Sequence, residues 1–377
     1  MKNKQIKINL PSAHRQYDIV IGNGLLKPLI QFIKKQDVSH IVIITDSKVR
    51  KLYGDKLLKD LKNNIQYPIS NIFHFSHGEK SKTQKIVTHL HNEMFKLACS
   101  RDTLIIALGG GVVGDVAGYV ASTYMRGISY IQIPTTLLAM VDSSVGGKTG
   151  IDTKYGKNLI GSFWQPVAVF ITPGVVETLP RKHIINGLLE AIKMFLTHDI
   201  EMFEYVRKNI KNILDLDLHV LEKIITRAVE IKARVVMRDE REKGERSILN
   251  FGHTIGHAIE KLSKYELMHG EAVGLGMLVE ARISMLMGVL DEEDYIEIEN
   301  FLKKILDIKI LGYWDISAKG GPAFGWKDIL REIRLDKKAK DGEARFVLLK
   351  GIGEFYKEKN NFVHSVDEKI IKESLLI

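Results

Sequence analysis

Two histidines four residues apart, His253 and His257 in Asn250-Phe-Gly-His-Thr-Ile-Gly-His257, fall on one face of a helix and are spaced to share a metal ion. A third, His269, follows in Met268-His-Gly-Glu271. Two imidazoles and one carboxylate leave an open position on a zinc ion, the arrangement of a catalytic rather than a structural site. Spacing alone favours His253 and His257 as the ligand pair. It does not choose the carboxylate among the 46 Asp and Glu residues.

A second chemistry is written in glycine. Thr103-Leu-Ile-Ile-Ala-Leu108 runs straight into Gly109-Gly-Gly-Val-Val-Gly114-Asp115, and an apolar-periodic stretch follows. Glycines 109, 111 and 114 match G-x-G-x-x-G, in which missing side chains let the backbone and a helix N-terminus approach a pyrophosphate. The plainer alternative is a tight strand-to-helix turn with no ligand, since the glycines come later in the chain than in a standard dinucleotide-binding unit. Asp46, directly after an earlier strand, is placed to hold a ribose hydroxyl, although an acid there can equally cap a helix. Another cluster, Ser143-Ser-Val-Gly-Gly-Lys148-Thr149-Gly150, resembles a P-loop but has Asp142 where the first glycine is required. That removes the ATPase reading. A glycine turn bearing a lysine still suits a substrate phosphate.

These groups need elements to position them. Ile6–Leu10, Tyr17–Ile21, His40–Thr45, Ile72–Phe75, Thr103–Leu108 and Tyr130–Ile133 are short β-branched runs that read as strands, mostly separated by helical patterns. Such alternation predicts a parallel sheet covered on both faces, with ligands near the carboxyl ends of its strands. From Arg181 to about Lys304 the pattern is almost wholly helical. A glycine-rich stretch, Gly312 to Gly325, then leads to a tail with one hairpin around Phe346–Leu349 and Phe355. The predicted fold class is an α/β, Rossmann-like domain over residues 1–178 that carries the glycine turn, followed by a mainly α-helical domain over 179–377 that carries the histidines.

The bulk properties limit the function. A chain of 377 residues exceeds what one hydrophobic core usually organises. Its 45% hydrophobic and 27% charged content is that of an ordinary globular protein. The net charge of +9 suits an acidic partner, but basic residues mostly alternate with acids, as from Lys232 to Lys243, with no arginine-rich arm for nucleic acid. The single cysteine, Cys99, excludes an internal disulfide framework and a cysteine metal knuckle, and fits a reducing compartment. The first twenty-two residues lack the apolar run of a signal peptide, and no stretch reaches 18 apolar residues. The expectation is a cytoplasmic protein with no membrane partner.

Longer stretches connect these pieces: Leu108-Gly-Gly-Gly-Val-Val-Gly-Asp-Val-Ala-Gly118, Tyr124-Met-Arg-Gly127, Ile133-Pro-Thr-Thr-Leu-Leu138, Val141-Asp-Ser-Ser-Val-Gly-Gly-Lys148, Gly156-Lys-Asn-Leu-Ile-Gly161 and Leu249-Asn-Phe-Gly-His-Thr-Ile-Gly-His257. Together they resemble the dehydroquinate synthase family, from about Tyr17 to Gly353. The resemblance implies the conversion of 3-deoxy-D-arabino-heptulosonate 7-phosphate to 3-dehydroquinate and phosphate, with NAD+ oxidising the substrate and the NADH so formed reducing it again, zinc (or cobalt) as the metal, and a homodimer. It makes the Rossmann-like domain, 1–178, the NAD-binding domain and the helical one, 179–377, the metal- and substrate-binding domain. It implies Glu190, His253 and His269 as metal ligands, which moves His257 from ligand to catalytic group beside Lys148, Lys193 and Asn250. For NAD it implies Asp46, Glu79, Lys82, Gly110, Gly111, Asp115, Thr135, Thr136, Asp142, Lys148, Lys157 and Thr178. For the substrate it implies Arg126, Asp142, Lys148, Asn158, Lys193, Lys232, Arg246, Asn250, His257 and one of Lys337 or Lys338, with Lys337 preferred. Several cations on one small molecule suit a substrate carrying both carboxylate and phosphate. The sequence departs from the family pattern at Met140, Asp152, Leu189 and Met194. The alternatives are a related sugar phosphate cyclase and an NAD- and metal-dependent polyol or alcohol dehydrogenase, although Ala117 and Gly118 stand where such dehydrogenases carry a lysine.

Overall fold

The computed structural model describes residues 3–10, 15–66, 69–306, 324–335 and 344–375. Packing divides the chain into two units, Met1–Pro180 with Leu221–Ala233, and Arg181–Val220 with Arg234–Ile377.

The first unit is built on a seven-stranded sheet of β1 (Lys4–Leu10), β2 (Arg15–Ile21), β3 (His40–Asp46), β4 (Ile69–Phe75), β5 (Thr103–Gly109), β6 (Ser129–Pro134) and, after a separate hairpin of β7 (Lys148–Thr153) and β8 (Gly156–Phe163), β9 (Ala168–Ile171). Its order is β1-β2-β9-β6-β5-β3-β4. Every neighbouring pair is parallel, as expected, except β1 with β2, which adds one antiparallel strand at the edge. In β3 and β5 the β-branched run is continuous because both faces are covered. Val42, Ile44, Ile105 and Ala107 join one core, whereas Ile41, Ile43, Leu104, Ile106 and Leu108 join the other. The helices of this unit are α1 (Leu26–Ile33), α2 (Ser47–Val49), α3 (Asp55–Asn64), α4 (Gln84–Lys96) and α5 (Gly111–Thr123). Cys99 is buried in the first core, below the Tyr124 hydroxyl that donates to its carbonyl.

The chain moves outward from β3 to β4 and returns to pair β5 on the other side of β3. This reversal of direction opens a crevice at the carboxyl ends of β3 and β5, where open α/β sheets bind ligands. Thr45 pairs with Leu108, so the next residues, Asp46 and Gly109, stand side by side at that crevice.

The second unit contains α6 (Arg181–His198), α7 (Ile200–Lys208), α8 (Ile210–Leu214), the ends of α9 (Leu218–Arg238), α10 (His253–Leu262), α11 (His269–Leu286), α12 (Glu292–Ile305), α13 (Trp326–Leu335) and α14 (Glu368–Leu375). The middle of α9 belongs to the first unit. The tail differs from the single expected hairpin. β11 (Leu349–Gly351) and β12 (Glu354–Phe355) form a hairpin, while β10 (Arg345–Phe346) pairs with β13 (His364–Ser365). Most of the glycine-rich stretch before it lies outside the described residues. Among the described residues no helix is long and apolar enough to cross a membrane.

At the end of α6, the His198 ring packs against Phe355 with centroids 5.4 Å apart, and its Nδ1 is 2.7 Å from Thr197 Oγ1. Burial, reinforced by the positive charge of Arg234, lowers its pKa from 6.5 to about 4. The folded state therefore binds this proton less readily than the unfolded chain, so the contribution is complete above pH 6.5 and is lost as pH falls toward 4. The loss amounts to at most about 3 kcal/mol. Urea unfolding at pH 7 and pH 5 should show His198→Leu losing less stability on acidification than the parent, and equal losses would refute the assignment.

Candidate active site

Three helices of the second unit converge on a buried carboxylate. Glu190, on α6, is 1% exposed, and its Oε1 lies 3.7 Å from His253 Nε2 and 3.5 Å from His269 Nε2. Atoms each about 2.0–2.2 Å from one tetrahedral zinc ion are about 3.3–3.6 Å apart, so Glu190 Oε1 stands close to ligand spacing from each imidazole. The ring nitrogens of His253, His257 and His269 also form a group, all within 4.8 Å of one another. The two close approaches of Glu190 point to the trio containing it, with His257 alongside at a ring-centroid distance of 5.2 Å from His253.

The outward nitrogens are held as metal-binding imidazoles require. His253 Nδ1 lies 3.2 Å from the Phe251 carbonyl, which can only accept, so Nδ1 carries hydrogen and Nε2 faces Glu190. His269 Nδ1 lies 3.3 Å from Glu260, a buried carboxylate on α10. Burial by itself would lower the His269 pKa, but the facing carboxylates of Glu190 and Glu260 outweigh this and raise it to about 10. Binding an ion must displace the proton on Nε2. Opposite the imidazoles, Lys193 Nζ donates to Glu190 Oε2 at 2.5 Å and is itself 2% exposed. The cluster thus unites Glu190, Lys193, His253, His257 and His269.

Nearby in sequence, the Asp239 carboxylate accepts from the backbone of Lys243, Gly244 and Arg246 at 2.9, 2.7 and 3.1 Å and shapes the loop entering Arg246. Burial would raise the Asp239 pKa, but these bonds hold it below the ordinary value. Arg246 reaches the Glu240 carbonyl, and Asn250 Nδ2 donates to Glu242 at 2.5 Å.

In the first unit, the glycines of the β5–α5 turn act by close approach rather than by unusual dihedral angles. A Cβ on Gly114 would lie 2.7 Å from Gln132 on β6. Gly110 is the N-cap and offers no side chain to the first turn of α5, which suits an anion at that end. Thr135 donates its backbone N–H to the Gly109 carbonyl, and the Thr136 hydroxyl accepts from Ala139 N. Asp46 caps α2 through Lys48 N and Val49 N, leaving its second oxygen 3.5 Å from His77. Thr178 bonds Tyr53 at 2.6 Å.

Lys82 is the hub of a second cluster in this unit. Its ammonium, buried, lies 2.6 Å from Asp115 and donates to Asn158, while Lys157 stands 4.0 Å from Glu79. Burial would lower the Lys82 pKa, yet Asp115 and Glu79 outweigh it and raise it, so the ammonium stays charged. Lys232 separately donates to the carbonyl and carboxylate of Asp142, each at 2.6 Å. Gly146 and Gly147 take φ +99° and +67°, values that favour glycine, and deliver the chain into β7 at exposed Lys148. A strand rather than a helix follows this lysine, unlike a P-loop. Arg126 sits on the exposed turn Met125–Gly127, whose φ values are all positive, and joins none of these clusters by a hydrogen bond or ion pair among the described residues. Lys337 and Lys338 lie outside the described residues.

Sequence reasoning missed Asn186, Asp239, Glu260 and Glu280, whose side chains accept from the backbone of the segments carrying these residues or, for Glu260, contact His269 itself. Their signal was modest: Glu260 is three residues after His257, and Glu280 is a charge inside an apolar helical stripe. The departures have simple structural roles. Met140, Leu189 and Met194 are fully buried in the core, and the Asp152 carboxylate accepts from Asn158 N at 2.9 Å, a bond an asparagine oxygen could equally make.

The chain matches the family model for the N-terminal part of 3-dehydroquinate synthase over residues 72–186 and the model for its C-terminal part over residues 187–339. It belongs to the 3-dehydroquinate synthase family. A 3-dehydroquinate synthase of Thermodesulfovibrio yellowstonii is 43% identical over 372 residues, covering 97% of this chain and 99% of that protein. Among solved structures, a 2-deoxy-scyllo-inosose synthase in complex with carbaglucose-6-phosphate, NAD+ and Co2+ has a TM-score of 0.86 and 28% identity, covering 99% of both chains. A 2-epi-5-epi-valiolone synthase from Streptomyces hygroscopicus with NAD+ and Zn2+ has a TM-score of 0.81 and 26% identity, with 95% coverage of both. Membership in the 3-dehydroquinate synthase family makes the chain a lyase, and its fold is that of the sugar phosphate cyclases.

The ligand geometry separates two readings of the histidines. Chelator competition should find zinc affinity reduced on the order of 100-fold or more in Glu190→Ala and His253→Ala. His257→Ala should retain the ion, and loss of zinc there would return His257 to the ligand set.

Proposed function

We propose that the chain converts 3-deoxy-D-arabino-heptulosonate 7-phosphate to 3-dehydroquinate and phosphate, with residues 1–178 binding NAD+ and residues 179–377 holding the metal. The observation that carries the site assignment is Glu190 Oε1 lying within 3.7 Å of both His253 Nε2 and His269 Nε2, with Lys193 on the other carboxylate oxygen. When bound, zinc or cobalt supplies a Lewis acid for substrate hydroxyls, and NAD+ accepts a hydride that it later returns.

The protein's own part is to bind, orient and manage protons. The glycine turn at Gly110 and Gly111, with the amides of α5, would receive the pyrophosphate, and Asp46 at the end of β3 the ribose. Glu79, Lys82, Asp115, Thr135, Thr136, Lys157 and Thr178 complete that reading. Lys148, Lys193, Lys232, Arg246, Asn158 and Asn250 would hold the carboxylate, phosphate and hydroxyls of the substrate, and Arg126 and Lys337 extend the set. Lys193 has a further task. Its ammonium on one oxygen of Glu190 favours the charged form of that buried carboxylate. His257, beside the ligand trio, is positioned to hold or move a proton. Asp142 fixes the Lys232 ammonium through two bonds. Such pre-set groups lower the entropic cost of reaching the reactive geometry.

The same reading makes the protein a cytoplasmic homodimer that takes a small phosphorylated acid and neither nucleic acid nor membrane. Exposed Leu159, Ile160 and Phe163 on β8 are apolar surface that a second copy would cover.

Purified protein loaded with zinc and given catalytic NAD+ and the heptulosonate phosphate should release phosphate and dehydroquinate in equal amounts without accumulating NADH. Chelator treatment and His253→Ala should each abolish both products. NADH accumulating on a simple polyol, with no phosphate released, would instead establish a dehydrogenase.

A further inference from the structure

His253 is the first residue of α10, so the ring assigned to the ion stands at a helix end, where backbone amides lack intrahelical partners and fraying is greatest. The N-cap, Gly252, has φ +77° and no side chain to satisfy those amides. A distant residue does so. Glu280, fully buried on α11, accepts from Gly252 N at 2.8 Å, Thr254 N at 3.1 Å and Ile255 N at 3.4 Å. A carboxylate at that end also complements the positive pole of the helix.

We propose that Glu280 is a positioning residue for the metal site, fixing the first turn of α10 so that His253 Nε2 meets Glu190 at ligand spacing. The helix that carries Glu280 begins with His269, so one carboxylate ties the element bearing one imidazole ligand to the element bearing the other. The two backbones meet without intervening side chains: a Cβ on Gly276 would lie 1.8 Å from the Gly252 carbonyl oxygen. At the start of α11, the buried Asn186 side chain accepts from Gly270 N at 2.6 Å and fastens that end to α6, four residues before Glu190. The Glu280 carboxylate closes a helix end whose own N-cap, a glycine, has no side chain to do so. A glutamine there offers one acceptor oxygen, and its amide group would face a backbone N–H, so at least one of the three bonds is lost.

The inference rests on Glu190, His253 and His269 holding the ion, and the test separates the two claims. Metal-free protein is titrated with Co2+ against a chelator, and the visible absorption spectrum of the bound ion is recorded for the parent, Glu280→Gln, Glu280→Asp, Ser284→Ala and His253→Ala. Ser284 is the control for lost packing on the same helix: it is buried, donates to the Glu280 carbonyl at 2.8 Å and accepts from Leu349 N at 3.0 Å, without touching α10 by these bonds. Glu280→Gln should bind Co2+ about 10–100-fold more weakly with an altered spectrum. Its NAD affinity should not change. Glu280→Asp should fall between it and the parent, and decides the matter by itself if the glutamine variant does not fold. Ser284→Ala should lose thermal stability yet keep the parent's affinity and spectrum. Parent-like cobalt binding in both Glu280 variants, or an equal loss in Ser284→Ala, would overturn the inference. Parent-like binding in His253→Ala would overturn the metal site itself.

Discussion

An ionised carboxylate cut off from water is the constraint around which the helical unit is arranged. Removing such a charge from solvent costs on the order of several kcal/mol unless it is paired and hydrogen-bonded. Glu190 is compensated on one oxygen by Lys193 and faces two imidazoles with the other. Lys193 is buried to the same degree, so each charge depends on its partner. Keeping the imidazoles within 3.7 Å of that oxygen demands that three helices approach closely. The glycines at 252, 270 and 276 and the side-chain-to-backbone bonds of Asn186 and Glu280 meet that demand.

The α/β unit solves a different problem with similar means. Its central strands are covered on both faces, which leaves their carboxyl ends as the place for polar work. Glycines bring α5 against the sheet, and the Lys82 ammonium is kept charged by Asp115 although it is buried. Both units therefore place ionic groups where water is scarce and partner each one before any ligand arrives. In that setting an electrostatic interaction is stronger than the same one in water.

What could be read from the sequence followed physical rules of limited range. β3 and β5 were legible because long β-branched runs have few other places to go. β9 was not, since Ala-Val-Phe-Ile is too short to carry a period. The β7–β8 hairpin was missed because β8 is exposed along most of its length and shows no alternation of polar and apolar residues. Histidine spacing picked out the cluster but preferred His253 with His257 as a pair, because residues at i and i+4 share a face whatever they do. The approach of Glu190 to His253 and His269 comes from α6 and α11 and is set by tertiary packing. Glu260 and Glu280 escaped notice for the same reason: nothing local distinguishes a buried acid from a solvated one.

The donor set around Glu190 contains nitrogen and oxygen and no thiolate, while the protein's single thiol, Cys99, is enclosed in the core of the other unit. Zinc sites built on cysteine lose their ion when peroxide converts the ligand sulfur to higher oxidation states. Imidazole and carboxylate offer no such handle, and the buried thiol has little access to oxidants. A metal held this way answers to competing chelators and protons, and is indifferent to the redox poise of its surroundings.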